Sequence, residues 1–204
     1  MPMTRSFDEV NQTARALLPL PSVGLSTAAA TALMLALSMI LPASPAFAGH
    51  GAQANSGTPD DRNHYIDRNS LTAKSDSATV QGVSQLNRTV MNATFSGSGD
   101  VEVYDDYYGT GGDWQSVSGK VTCMGYTPLY THCDLYLMQY NLTYVAGYSQ
   151  SQADQVGCHE LGHTAGLGHR TSATDTDNNS CMRSGLSTWR YFDQHDIDAV
   201  NSTN

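Results

Sequence analysis

His159-Glu160-Leu161-Gly162-His163 sets two imidazoles four positions apart with a carboxylate beside the first, and His169 follows six positions later. On a helix, residues i and i+4 lie about one turn apart on the same face, so His159 and His163 can aim both rings at one point. Imidazole nitrogens meeting ~2.1 Å from one point are ligands for Zn²⁺. Glu160 lies ~100° around the helix from His159, beside such an ion rather than under it, where a carboxylate can take a proton from water. It reads as a general base, not a ligand.

His169 needs a different route to the same point. A continuing helix at ~1.5 Å per residue would carry it about 15 Å along the axis from His159. The chain must leave the helix between His163 and His169, and Gly166 is the residue that can take the left-handed conformation of a helix C-terminus. The glycine is therefore part of the expected metal site: catalytic Glu160, with His159, His163 and His169 as ligands of one zinc ion.

His159, Glu160, His163, Gly166 and His169 together match H-E-x-x-H-x-x-G-x-x-H, and on this motif the chain resembles the metzincin clan of zinc peptidases. The clan also carries a methionine turn below the zinc, and Met182, in Ser180-Cys181-Met182-Arg183-Ser184-Gly185, is the candidate here. Two positions depart from the better-known subfamilies. Arg170 follows the third histidine, where matrixins, adamalysins, astacins and serralysins usually have Ser, Asp, Glu or Pro; and Ser184 stands where astacins and serralysins have a zinc-contacting tyrosine. Small secreted bacterial metzincins, matrixin-like or snapalysin-like, are the nearest resemblance.

The resemblance implies an α+β catalytic domain over residues 61–204: a mixed twisted sheet with an antiparallel edge strand, the zinc helix, the Met-turn and a C-terminal helix. It implies a zinc endopeptidase in which water attacks a polarised peptide carbonyl with Glu160 as base and proton shuttle. An edge strand of the Lys120–Met124 and Asp134–Tyr140 hairpin, the latter favoured, would bind substrate in extended form, and Arg183–Tyr191 would wall a specificity pocket. A zinc-bound binding or inhibitory protein without turnover is the alternative. Glu160 speaks against it, since a purely structural site has no use for a base.

The elements that must position these residues are legible in part. His64–Arg68 suits a first strand, and Val80, Val83, Leu86, Val90 and Met91 recur at near-helical spacing from about Ser75 to Asn92. Asp100–Tyr107 alternates Val101 and Val103 with polar neighbours, as a strand does. The zinc helix should run from Ser151 or Gln152 to Ala165, and Asp193 should cap a last helix with Asp196 in its first turn. His50 and His64 read as exposed histidines. Asp105, Asp106 and Asp113 could meet Ca²⁺ but match no defined loop, and the Asx-rich run Asp175–Asn179 reads as a solvated turn.

Val23–Leu41 is an apolar run followed by Ala46-Phe47-Ala48, the pattern of a signal peptide cleaved after Ala48; an uncleaved anchor is the other reading. Residues 49–60 then form a flexible leader or propeptide remnant. No cysteine precedes Cys123, so the cysteine-based latency of matrixins is not available from the N-terminal segment. Removing residues 1–48 takes Arg5, Arg15, Asp8 and Glu9 with it, so the net charge stays at −9. That balance disfavours nucleic acid and anionic lipid as partners and suits a soluble protein; the signal pattern implies a secreted, extracellular protein, the resemblance implies a peptide or protein substrate, and a monomer is expected.

All four cysteines follow the signal, where an oxidising compartment permits disulfides. Three pairings are open. The pairing favoured is Cys123 with Cys133, closing the hairpin, and Cys158 with Cys181, tying the start of the histidine motif to the residue before Met182; a rival reading has Cys158 as ligand or redox thiol.

Overall fold

The computed structural model describes residues 57–126, 132–170 and 179–204. The segment expected as a signal peptide, His50 and most of the Asp175–Asn179 run lie outside the described residues. The sheet is open and mostly parallel. Strands β2 (Asn63–Arg68), β3 (Asn92–Phe95), β4 (Val101–Asp106) and β6 (His132–Asn141) lie in the order β6-β4-β2-β3, all parallel. The short β1 (Thr58–Pro59) runs parallel to the first residues of β6, so residues expected in the leader already belong to the domain. Among the described residues the one antiparallel pairing is β5 (Gly119–Tyr126) with β6.

Four expectations are corrected here. The architecture is α/β rather than α+β, because helix α1 (Ala73–Leu86) carries the chain from β2 to a parallel β3, a crossover rather than a hairpin. And Asp134–Tyr140, favoured as the edge, is interior: β6 pairs with β4 on one side and β5 on the other. The expected helix to Asn92 stops at Leu86. Asn87 ends it, and the Asn87 amide both donates to the Ala93 carbonyl (2.9 Å) and accepts from the Ala93 N–H (2.8 Å), pinning the helix end to β3. Val80, read as part of the apolar face, is exposed.

Alternation does the rest. His64 and Ile66 on β2, Val101 and Val103 on β4, and Tyr136, Met138 and Tyr140 on β6 are buried, and two helices cover them. These are α1 and α3 (Gln150–Thr164), which follows the four-residue α2 (Leu142–Val145). Two glycines let the helices approach. A Cβ on Gly82 would lie 2.6 Å from the Gly157 carbonyl oxygen, and one on Gly157 would overlap the Ala78 carbonyl. The helix that carries the histidines is thereby set against α1.

His64, expected to be exposed, is buried: its Nε2 sits 3.1 Å from Thr164 Oγ1 at the C-terminus of α3. An isolated histidine in a polar run gives no sign of this in the sequence. Burial lowers its pKa, so it is neutral. Helix α4 (Gln194–Thr203) begins with the expected Asp193 cap, and Asp196 completes a capping box. The Asp105 carboxylate accepts from the Thr72 N–H and hydroxyl, while Asp113 lies 3.6 Å from Lys120. With Asp106, these acids do not converge as a metal-ligating group among the described residues. No helix of the described residues is long and apolar enough to cross a membrane.

Candidate metal centre

Helix α3 opens with a capping box between Ser149 and Gln152 and closes on Gly166, at φ +93°. The Leu167 N–H reaches the Gly162 carbonyl (3.0 Å) and the Gly166 N–H that of His163 (3.2 Å), the paired bonds of a left-handed helix stop. This reversal brings the Leu167 carbonyl back to the His163 ring, whose Nδ1 donates to it at 2.7 Å. His159 Nδ1 donates to the Cys181 carbonyl at 2.8 Å. A carbonyl only accepts, so both rings carry their proton on Nδ1 and present Nε2 as a lone pair.

His169 arrives from the far side of the turn. Its Nε2 lies 3.1 Å from His163 Nε2, and one ligand atom from each of the three histidines lies within 4.8 Å of the others. Two ligands ~2.1 Å from a tetrahedral ion stand about 3.4 Å apart. A gap this short is bridged either by a His169 Nε2–H donating to the His163 lone pair or by a cation held between the rings, and burial above all keeps the imidazoles neutral. His159 is lowered well below its usual pKa, by burial first and then by His163; His163 is lowered to about 4 and His169 is lowered too, burial again leading. The donor set fits a borderline-soft divalent cation such as zinc.

Glu160 is buried beside this cluster, and burial pushes its carboxyl up to about 8. Gly119 of β5 crosses directly over it: a Cβ there would lie 2.7 Å from both Glu160 Cγ and Oε1. A cleft of about 460 Å³ runs between β5 and the segment Arg183–Leu186, lined also by Glu160 and the three histidines.

Behind the helix, Met182 is fully buried, and a Cβ on Gly162 would overlap its sulfur and come within 3.1 Å of Phe192. Both favoured disulfides are present, Cys123–Cys133 and Cys158–Cys181. The second excludes Cys158 as ligand or free thiol. Gln155 was not singled out in the sequence. Buried one turn before His159, it donates to the Cys181 carbonyl (3.3 Å) and the Gly185 carbonyl (3.4 Å) and accepts from the Ser187 N–H (3.1 Å), holding the cleft wall to α3. A glutamine four residues before a motif histidine, on the same helical face, was the only signal.

Arg170, the departure after the third histidine, is buried. Its N–H donates to the Met182 carbonyl (3.0 Å) and its guanidinium pairs with Asp193 at the cap of α4. Asp193, His195 and Asp196 also lie close enough to share an ion. Asp193 and Asp196 are instead occupied by the capping box, Arg170 and the Ser180 hydroxyl, which donates to Asp196. No protein-family model matches this chain, and no curated protein matches it.

Proposed function

We propose that the protein is a secreted zinc-dependent endopeptidase of metzincin type. The observation that carries the reading is the convergence of His159, His163 and His169, each of the first two with Nδ1 committed to a carbonyl, next to buried Glu160 on an open cleft. Bound zinc would supply a Lewis acid that polarises a scissile carbonyl and acidifies water. Glu160 takes the proton of the attacking water on its carboxylate and passes it to the leaving amine. The same residue serves twice. The cleft between β5 and Arg183–Leu186, with Gly119 packed on Glu160 at its floor, offers the space for an extended chain. Two disulfides fit an oxidising, extracellular setting.

Glu160→Gln tests this reading. The variant keeps the three histidines and helix propensity but lacks a basic carboxylate. It should bind zinc like the parent and lose casein or gelatin hydrolysis by roughly three orders of magnitude, the upper range of acid–base assistance. Full zinc with near-parental cleavage would refute the mechanism. A parent that binds zinc and cleaves nothing would favour the binding-protein alternative.

A further inference from the structure

We propose that Arg183 reads the substrate, and that the peptide it selects carries an aspartate or glutamate next to the scissile bond. The proposal rests on the peptidase reading above and adds the substrate class.

Arg183 follows Met182 directly and lines the cleft with His159, Glu160 and His163. Its Nε is buried with no hydrogen-bond partner. The other arginines among the described residues are spoken for. Arg62 donates to the Asn204 carbonyl, Arg68 to Asp76, Arg88 to Gln85 and the Phe192 carbonyl, Arg170 to Asp193, and Arg190 to Asp154. Lys120, the other cation on the cleft, lies 3.6 Å from Asp113. Arg183 is thus a cation on the lining of the cleft with no anion of its own among the described residues.

A buried donor without a partner is costly, and a guanidinium is the side chain best matched to a carboxylate, which it grips through two parallel bonds. The chain's net charge of −9 makes this more telling. Among the described residues no carboxylate pairs with Arg183, so the cation is left for a ligand. The wall that carries it is braced, because Gln155 fixes Gly185 and Ser187 to α3. A carboxylate arriving there replaces water on Arg183 with a charge-assisted bond, whereas an amide of the same shape gains only a neutral one.

The test uses internally quenched octapeptides identical except at the positions flanking the centre, which carry Glu, Gln, Lys or Leu. The zinc-loaded parent should cleave the Glu peptide with kcat/KM about 10-fold or more above the Gln peptide, a contrast that shrinks with added salt. Arg183→Gln should erase the Glu/Gln ratio, Arg183→Lys should keep part of it, and Arg183→Glu should turn the preference towards Lys. Zinc content is measured on each variant. The same peptides are titrated by fluorescence anisotropy against the zinc-loaded Glu160→Gln form, with and without Arg183→Gln. If that form prefers Glu through Arg183 but the parent cleaves nothing, the peptidase reading fails and the Arg183 assignment stands. Equal treatment of Glu and Gln in both cleavage and binding, or a preference that survives Arg183→Gln, overturns it.

Discussion

His159 Nδ1 donates to the carbonyl of Cys181 at 2.8 Å, and Cys181 is covalently joined to Cys158, the residue just before His159. The ring is thus oriented by a residue that its own neighbour holds in place. Such outer partners fix a ligand's tautomer and raise its basicity. Replacing both cysteines, Cys158→Ala with Cys181→Ala, should cost about 3 kcal/mol of stability on the chain-entropy account and also weaken zinc by about 10-fold or more. Denaturant melts and chelator competition separate the two effects. Zinc affinity unchanged in the folded variant would show that the bridge does not serve the metal site.

Gly162 and Met182 make a second such pair, this one steric. A methyl group on residue 162 has nowhere to go but into the Met182 sulfur and the Phe192 ring. Gly162→Ala should therefore destabilise by about 1–3 kcal/mol despite alanine's better helix propensity. Met182→Ala should leave a cavity and cost about 2–5 kcal/mol. Combined, the two should lose clearly less than their sum, because the added methyl partly fills the space vacated. Urea midpoints of the four proteins decide this; strict additivity would mean the two side chains do not share that space.

What the sequence revealed, and what it hid, follows from the range of the interactions. The histidine motif was legible because helix geometry is local: four positions bring His159 and His163 together, and Gly166 marks the stop. Asp193 and the two disulfides were legible for similar reasons of spacing and capping. Strand β3 was not, since of its four residues only Ala93 is buried and no alternation can show. The order of strands was hidden because a parallel pairing depends on crossovers rather than on adjacent turns, which is why β6 was taken for an edge. His64, Gln155 and Arg183 act through partners tens of residues away, or through the lack of one.

His169 differs from the other two histidines in reaching the cluster from outside the helix, and its Nε2 lies against that of His163. His169→Ala should leave α3 and its caps intact while weakening zinc by more than about 100-fold, beyond the 10–100-fold usual for an outer partner. Far-ultraviolet circular dichroism and chelator competition are the measurements. A variant that holds zinc like the parent would remove His169 from the ligand set.

The last prediction concerns the metal-free protein and pH. His64, His159, His163 and His169 all have lowered pKa values, burial leading in each, so the unfolded chain takes up protons below about 6.5 that the fold refuses. Their contribution is present above the unfolded value and is lost as pH falls towards about 4, the value for His163. Two carboxyls act in the opposite sense. Glu160 is raised to about 8 and Asp196 to about 6, burial leading in both, so their contribution is present at low pH and lost as pH rises through those values. Between pH 4.5 and 6.5 the lowered histidines, His159 and His163 above all, act against the two acids, and stability should rise with pH; each net proton adds a slope of about 1.4 kcal/mol per pH unit. Between about 6.5 and 8 Glu160 is left to act, and stability should fall. The metal-free protein should thus be most stable near pH 6.5, and Glu160→Gln should flatten the alkaline limb and steepen the acid one, where Glu160 no longer opposes the histidines. Urea midpoints in chelator at pH 5, 6.5 and 8.5 check both limbs. Saturating zinc should raise stability most at and above pH 6.5, where the imidazoles are already free of protons, and least at pH 5, where protons compete for the same nitrogens. A metal-free protein more stable at pH 5 than at pH 6.5 would mean that these histidines are not held neutral by the fold, and the assignment of His159 and His163 as ready ligands would go with it.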